Sequence, residues 1–167
     1  MGDSGKDCQA RGANTPTMMF RGHYEHAIDA KGRTSIPARF RDVLTAVNDL
    51  RLIVTPALFD PCLHVHPMKE WEELEAKIAA LPQFDPNVVA FRRKYLSAAV
   101  EAEIDKAGRI LIPPMLREHA DLQKEVLWAG MGKTAELWSR ERWKKAQEMS
   151  DTEMSQFKAA ISEQFRL

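Results

Sequence analysis

The sequence predicts an α+β protein in which one structural unit occurs twice. Residues 28–33 (IDAKGR) match residues 104–109 (IDKAGR) when the 167-residue chain is compared with itself at a shift of 76 positions. An Ile-Pro pair follows both segments at the same distance. Apolar and polar residues alternate before each segment, as in a half-buried strand, and apolar residues at helical spacing follow it. We therefore interpret the chain as a tandem repeat of strands and helices.

Each copy is predicted to begin with a β-hairpin. In the second copy Val100, Ala102 and Ile104 alternate with acidic residues, and the same period of two resumes after Gly108. Gly32 occupies the equivalent place in the first copy. Both glycines stand where a tight reversal needs a residue that tolerates positive φ. The strands on either side of each glycine are therefore expected to pair with each other.

Helices and a second pair of strands are predicted in both copies. Pro37 and Pro113 end the preceding strands and are compatible with helix starts, because the first turn of a helix does not use their missing N–H groups. The expected helices cover residues 40–47, 68–80, 85–96 and 115–120, and the further strands cover residues 50–55, 62–66, 125–131 and 135–138.

The expected organisation is a disordered leader (residues 1–18), a first unit (19–97), a second unit (98–149) and a C-terminal helix (150–167). The leader is polar and lacks the apolar centre of a secretory signal. Ser150 and Glu153 form a capping-box pattern at the start of the final helix. The apolar stripe of this helix is expected to dock onto this chain or onto a neighbouring copy, and it consists of Met154, Phe157, Ile161 and Phe165.

The composition indicates a globular protein of the cytoplasm. A hydrophobic content of 44% allows a substantial core, and no apolar run reaches the roughly 18 residues that span a bilayer. The two cysteines, Cys8 and Cys62, lie far apart, which fits a reducing compartment. The 24 basic and 24 acidic residues give a formal net charge of zero, so nucleic-acid binding requires a local excess of basic residues. Residues 18–41 provide one, with five basic residues against two acidic ones.

Both copies contain an Asp-x-x-x-Arg turn, for which a structural and a functional interpretation are open. In the structural interpretation, the carboxylate accepts hydrogen bonds from its own turn and pairs with the arginine, as expected for Asp29. In the functional interpretation, the arginine is displayed on a two-stranded ribbon that enters the major groove of DNA. There the planar fork of an arginine matches the two acceptors of guanine.

The surroundings of the two turns differ, because basic or small polar residues accompany the first and apolar residues stand at matching positions of the second. We therefore expect Arg33 and Lys31 to contact DNA. Asp105, Gly108 and Arg109 are expected to stabilise their own hairpin or a contact between subunits. The accompanying residues are Arg21, Thr34, Ser35 and Arg39 in the first copy and Ile110 and Leu111 in the second.

Two motifs in this order resemble those of the MraZ family of bacterial transcriptional regulators. Residues 19–41 (MFRGHYEHAIDAKGRTSIPARFR) are similar to the opening of the family, and residues 105–113 (DKAGRILIP) are similar to its second motif. The resemblance implies duplicated AbrB-like swapped-hairpin β-barrel units with flanking helices, assembled into a ring-shaped homo-oligomer at the nucleoid. It also implies binding to direct repeats in promoter DNA and repression of a division and cell-wall gene cluster. The DNA-contacting residues of the family correspond to Arg21, Lys31, Gly32 and Arg33.

Other kinds of site have less support in the sequence. Cys62, His64 and His66 alternate along one predicted strand, which is ligand chemistry, but a structural zinc site usually needs four protein ligands and no fourth is apparent nearby. No metal or other cofactor is therefore expected. The four tryptophans are expected to lie in packing faces rather than to serve as stacking platforms for single-stranded nucleic acid.

An enzyme is not expected, because the sequence contains no glycine-rich phosphate loop and no nucleophile elbow. The alternative to a DNA-binding regulator is a non-catalytic protein-interaction module of antitoxin-like or assembly type.

Overall fold

The computed structural model describes residues 19–167, so the prediction of a disordered leader lies outside the described residues. The described chain forms strands and helices in mixed order, which confirms the α+β class. The elements are β1 (His23–Ala27), β2 (Arg33–Ser35), α1 (Ala38–Ala46), β3 (Arg51–Pro56), β4 (Leu63–Pro67), α2 (Met68–Ala79), α3 (Pro86–Phe91), a π-helical turn (Arg92–Leu96), β5 (Val100–Glu103), β6 (Arg109–Leu111), α4 (Pro114–His119), β7 (Glu125–Gly130), β8 (Ala135–Ser139), α5 (Arg140–Gln147) and α6 (Asp151–Phe165).

The strands form two antiparallel sheets. The larger sheet has the order β1-β7-β8-β4-β3-β5, and the smaller is a ribbon of β2 and β6. Strand β3 pairs with β4, and β7 pairs with β8, as the sequence predicts for the second pair of strands in each copy. These two hairpins meet at the centre of the larger sheet, where β4 pairs with β8.

The predicted first hairpin of each copy is wrong in its pairing. The chain does reverse at Gly32 and Gly108, which have φ angles of +89° and +75°. In the first copy, however, the pairing of the two sides beyond the turn itself is limited to a single bridge between Ile28 and Thr34. The strands pair with the other copy instead: β1 with β7, β5 with β3, and β2 with β6. The period of two identifies a strand but carries no information about its partner, and here the partner belongs to the other repeat.

The pairings follow an approximate twofold axis that relates the repeats. In the ribbon, Thr34 lies opposite Ile110, which is its own counterpart at the repeat shift of 76 positions. In the larger sheet, His64 lies opposite Glu136, and the neighbouring pairs are arranged symmetrically about them. The axis therefore passes through the ribbon at one level and through the β4–β8 pair at another.

The core lies between the two sheets and the helices that flank them. Phe20, Phe40 and Trp128 form edge-to-face contacts within it. Trp71, Trp128 and Trp138 are at most 4% exposed and Trp143 is partly buried, so the prediction that the tryptophans occupy packing faces is confirmed. No helix among residues 19–167 combines the length and the apolar character needed to cross a membrane.

The ends of the helices follow the sequence closely. Pro37 and Pro113 are the N-cap residues of α1 and α4. Ser150 and Glu153 form the predicted capping box of α6. No residue of α6 is buried by the rest of the described chain, and Phe157 in its apolar stripe is 48% exposed. The stripe is therefore not docked onto residues 19–150.

Replacement of Gly32 by alanine is expected to destabilise the fold by more than its backbone angle alone requires. A Cβ atom at Gly32 would lie 2.6 Å from the carbonyl oxygen of Ile112 and 2.7 Å from Nε of Arg117. Gly132 is a matched control, since its φ of +87° is nearly the same and a Cβ there would meet only Met19, at 3.7 Å. We expect Gly132→Ala to lower the free energy of unfolding by about 1–2 kcal/mol.

Gly32→Ala is expected to cost about 1–3 kcal/mol more than Gly132→Ala, because the added atom also meets backbone. Equilibrium unfolding in urea, at one fixed protein concentration, measures both changes. Equal losses of unfolding free energy in the two variants would show that Gly32 is not packed tightly against Ile112 and Arg117 of the other repeat.

Candidate nucleic-acid interface

The turn from Asp29 to Arg33 is held by the Asp29 side chain. Its Oδ1 accepts hydrogen bonds from the backbone N–H groups of Lys31 and Arg33, both at 2.9 Å. Its Oδ2 accepts a hydrogen bond from Nε of Arg33, also at 2.9 Å. The N–H of Gly32 donates to the carbonyl oxygen of Asp29 at 2.9 Å. One carboxylate therefore fixes the backbone of the turn and the direction of the arginine.

The turn from Asp105 to Arg109 repeats this geometry. Oδ1 of Asp105 accepts from the N–H groups of Ala107 and Arg109 at 2.9 Å, and Oδ2 accepts from Nε of Arg109 at 3.1 Å. The side chains of Arg33 and Arg109 are 37% and 35% exposed, and both aspartates are 39% exposed. The structural interpretation thus describes both turns equally well, and the turn geometry does not separate the two arginines.

Both arginines lie on the outer face of the ribbon. Alternation along β2 and β6 turns Thr34 and Ile110 inward, where each is 1% exposed. The side chain of Thr34 therefore belongs to the core and adds no polar surface around Arg33. The outer positions are Arg33, Ser35, Arg109 and Leu111.

The register of the ribbon also changes the neighbours of each arginine. Arg33 lies opposite Leu111, and Arg109 lies opposite Ser35. Ser35 and Leu111 therefore each lie beside both arginines, two residues along one strand and directly across the ribbon from the other, so they do not distinguish the two turns. Each turn carries one exposed lysine, Lys31 in the first and Lys106 one position earlier in the second, whereas the exposed Arg39 has Met115 as its counterpart.

Backbone hydrogen bonds join each turn to the strand that follows the other turn. The N–H of Ile36 donates to the carbonyl oxygen of Gly108 at 2.9 Å, and the N–H of Ile112 donates to that of Gly32 at 2.8 Å. Each glycine also lies against an arginine from the opposite repeat, since a Cβ at Gly32 would meet Arg117 and one at Gly108 would meet Arg41. These reciprocal contacts place the turns side by side.

The structural role of Arg41 and Arg117 is absent from the sequence prediction. Arg117 donates from Nε to the carbonyl oxygen of Ile112 at 3.0 Å, whereas Nε of Arg41 is buried without a hydrogen bond to the described residues. The repeat alignment contained a pattern that could have identified them, because Phe40-Arg41 matches Leu116-Arg117. An arginine kept at the same position of both copies indicates a shared contact.

The predicted DNA-contacting residues fall into two places. Lys31, Gly32 and Arg33 lie together in the first turn. Arg21 precedes β1, whereas the turn follows it, and the five residues of this strand separate its ends by roughly 13 Å. Arg21 instead lines a cleft with Tyr24 and Arg39. The structure brings together three of the four residues and places Arg21 near a different basic side chain.

The hydrogen bonds of the turns favour ionised aspartates. The backbone N–H of Arg33, and then the side chain of the same residue, hold the pKa of Asp29 below its ordinary value. The backbone N–H of Arg109 has the main lowering effect on the pKa of Asp105. On β1, burial and then the positive charge of Arg41 lower the pKa of His26. Both turns therefore carry a negative charge that is balanced by an arginine at neutral pH.

A second polar cluster lies at the centre of the larger sheet and contains groups that could bind a metal. Ligand atoms of Cys62, His64 and Glu136 lie within 4.8 Å of one another. The hydroxyl of Tyr95 is 2.7 Å from Nδ1 of His64 and 2.9 Å from Nε2 of His66. Burial raises the pKa of Tyr95 to about 12 and lowers the pKa of His66 to about 4, so both are neutral at pH 7.

Asp29→Asn is expected to lower stability at neutral pH and to lose this effect in acid. Because the folded state depresses the pKa of Asp29, its ionised form stabilises the fold above the unfolded pKa of about 3.9. This contribution disappears as the pH falls through the lower folded pKa. Urea unfolding of the native protein and of Asp29→Asn between pH 7 and pH 3 measures the difference in their free energies of unfolding. We expect this difference to become smaller as the pH falls.

Asp42→Asn is the control, since this exposed carboxylate accepts no hydrogen bond from residues 19–167. A difference for Asp29→Asn that does not change with pH would contradict the proposed role of the carboxylate charge.

Comparison with known proteins assigns the chain to a family. A family model described as "MraZ protein, putative antitoxin-like" matches residues 19–94 and again residues 95–165. Similar relatives include proteins named "Transcriptional regulator MraZ". The one from Heliobacterium modesticaldum is 49% identical over 78% of this chain and 87% of its own length. Those from Carboxydothermus hydrogenoformans and Thermoanaerobacter pseudethanolicus are 50% and 43% identical, over 75% and 87% of this chain and 84% and 98% of their own lengths. The chain therefore belongs to the MraZ family.

Proposed function

We propose that this protein is a sequence-specific regulator of transcription that reads double-stranded DNA with the outer face of the β2–β6 ribbon. The observation that carries the proposal is the position of Arg33. Its Nε is held by Asp29 at 2.9 Å, and its terminal nitrogens donate no hydrogen bond to the described residues. An arginine fixed in this way keeps the end of its fork available to a ligand.

The chemistry of the turn suits a guanine in the major groove. A two-stranded ribbon fits the width of the groove, and the fork of an arginine matches the O6 and N7 acceptors of guanine. Lys31 is exposed beside Arg33 and supplies a second positive charge for the phosphates. Gly32 contributes through its positive φ, which allows the tight reversal that presents both side chains.

Arg21 is proposed to contact the phosphate backbone away from the bases. Arg21 precedes β1, whereas Arg33 follows that strand. Arg21 lines a cleft that also contains Arg39. Two basic side chains outside the ribbon orient the protein on the duplex without reading sequence. Across the ribbon, the turn of Asp105, Gly108 and Arg109 is proposed to support the structure or a contact between subunits.

The binding unit is proposed to be a ring of copies with the AbrB-like swapped-hairpin barrel fold. A single arginine and a few phosphate contacts bind weakly, but several copies at fixed spacing engage a row of direct repeats together. Contacts that close into a ring need complementary surfaces on each subunit. The exposed stripe of α6 provides one such surface, with Phe157 48% exposed and Phe165 61% exposed.

The proposed target is the promoter of the protein's own gene and of a division and cell-wall gene cluster, which the protein represses at the nucleoid. Support for regulation comes from the relatives, which are named transcriptional regulators. The proposed activity is binding alone, with no catalytic step and no cofactor needed for DNA contact.

Gel-shift titration of promoter DNA with Arg33→Ala tests the reading residue. One lost bidentate contact costs about 1–3 kcal/mol, which is about 5- to 150-fold in affinity, and the loss grows when several copies bind together. Arg33→Lys retains the charge without the fork, so it should lose sequence specificity more than it loses overall affinity. Binding of the native protein should also weaken steeply with added salt.

Arg109→Ala is the matched control, since its side chain has nearly the same exposure and the same ion pair. We expect it to retain specific binding. Intact operator binding by Arg33→Ala, together with loss of binding by Arg109→Ala in an undissociated oligomer, would reverse the assignment. Absence of any sequence-specific retention on genomic fragments would favour a protein-interaction module of the antitoxin-like type.

Phe157→Asp is expected to reduce assembly, because it places a charge in the exposed stripe of α6. Gln156→Asp introduces the same charge at the adjacent exposed position and is the control. Light scattering after size-exclusion chromatography measures the oligomer mass. We expect a smaller particle and weaker binding to multiple repeats for Phe157→Asp alone, and an unchanged particle would remove α6 from the proposed contact.

A further inference from the structure

The β4–β8 pair brings two neighbouring side chains of the first repeat together with one side chain of the second. Cys62 directly precedes β4, His64 lies on β4, and Glu136 lies on β8 directly opposite His64. Their ligand atoms lie within 4.8 Å of one another. Nε2 of His64 and Oε1 of Glu136 are 3.7 Å apart. Glu136 of the other repeat thus adds a carboxylate to the thiol of Cys62 and the imidazole of His64.

We propose that Cys62, His64 and Glu136 bind a zinc ion that joins the two repeats at the centre of the larger sheet. Zinc accepts thiolate, imidazole and carboxylate ligands at about 2.0–2.3 Å in a tetrahedral arrangement. Those bond lengths place neighbouring ligand atoms about 3.4–3.6 Å apart. The distance between Nε2 of His64 and Oε1 of Glu136 is already close to this separation. A side-chain shift of about 1 Å brings the sulfur of Cys62 to the same separation.

The ligand atoms are oriented by neighbours that do not themselves reach the ion. Nδ1 of His64 is 2.7 Å from the hydroxyl of Tyr95, which leaves Nε2 directed toward Glu136. Oε2 of Glu136 accepts a hydrogen bond from Nε1 of Trp138 at 2.8 Å, which leaves Oε1 directed toward His64. Metal-binding histidines and carboxylates typically have their other polar atom held in this way.

The hydrogen-bond chain through Tyr95 becomes directional when the ion is bound. A histidine that binds zinc through Nε2 carries its proton on Nδ1, so His64 donates to the oxygen of Tyr95. The hydroxyl of Tyr95 then donates to Nε2 of His66, which lies 2.9 Å away. The thiol of Cys62 loses its proton to solvent as the sulfur–zinc bond forms, so one proton is released for each ion bound.

The ligand chemistry selects among metals. A thiolate and an imidazole favour zinc over magnesium or calcium, which prefer oxygen ligands. Cys62 is fully buried, whereas the side chain of His64 is 32% exposed and that of Glu136 is 14% exposed. Solvent therefore reaches the site from the side of His64, and a water molecule can supply the fourth ligand.

The position of the site explains what the ion would do. Strands β4 and β8 meet through three residue pairs, and the approximate twofold axis passes through the pair of His64 and Glu136. The corresponding residues of the other repeat, Thr134 and Trp138 in place of Cys62 and His66, do not form a second set of ligands. One ion per chain would therefore link the hairpins of the two repeats.

Cobalt(II) spectroscopy of the whole protein, freed of metal and of any affinity tag, tests the site. We expect one equivalent of cobalt per chain, with thiolate-to-cobalt charge transfer and the visible bands of tetrahedral coordination, and displacement of cobalt by zinc. Cys62→Ser should abolish the charge-transfer band. Cys8→Ser and His119→Gln are controls for the other cysteine and for an exposed histidine, and both should leave the spectrum unchanged.

Two further variants keep the test decisive if Cys62→Ser fails to fold. Glu136→Gln should weaken cobalt binding at least tenfold, and Tyr95→Phe, which removes no ligand, should weaken it about 10- to 100-fold. Added zinc should raise the melting temperature of the native protein more than that of Glu136→Gln. A cobalt affinity of Glu136→Gln equal to that of the native protein, or a native spectrum without thiolate charge transfer, would overturn the proposal.

Discussion

Two reciprocal hydrogen bonds hold the repeats around each other, from Ile36 to Gly108 at 2.9 Å and from Ile112 to Gly32 at 2.8 Å. Each Asp-x-x-x-Arg turn is shaped by its own aspartate. The carbonyl oxygen of its glycine, however, accepts a hydrogen bond from the opposite repeat. The same exchange gives β1 and β5 their partners. Because neither repeat contains the partners of its own first two strands, the ribbon face exists only when both repeats fold together.

Local features of the fold could be predicted from the sequence, and the long-range pairing could not. The helix starts at Pro37 and Pro113, the capping box at Ser150 and the second hairpins depend on residues close in the chain, and the structure has them at the predicted places. Partner choice is different. In a duplicated chain, a strand beside Gly32 finds nearly equivalent surfaces in either repeat, so the alternation of residues fits both arrangements. The preference for exchange arises from packing across the whole molecule.

The same reasoning explains which parts of the candidate sites were foreseen. The turn containing Lys31, Gly32 and Arg33 is local, and its composition predicted its geometry. The contribution of Glu136 to the polar cluster depends on the β4–β8 register, which brings residues 72 positions apart into one pair. The neighbour of Arg33 across the ribbon, Leu111 of the other repeat, could not be predicted for the same reason.

Divergence between the repeats is informative where the twofold axis crosses the structure. A residue on the axis faces its own counterpart, so identical residues there would place like groups in contact. The chain has Thr34 opposite Ile110 and His64 opposite Glu136 instead. On the ribbon, in contrast, Arg33 and Arg109 lie off the axis and keep the same ion pair and nearly the same exposure. An exposed ion pair of this kind adds little stability, so its presence in both turns is better explained by the orientation of the arginine than by the strength of the pair. The geometry therefore prepares two arginines alike. Each turn also carries one exposed lysine, Lys31 or Lys106, so the two surfaces differ in basic charge at Arg39, which the second repeat replaces with Met115.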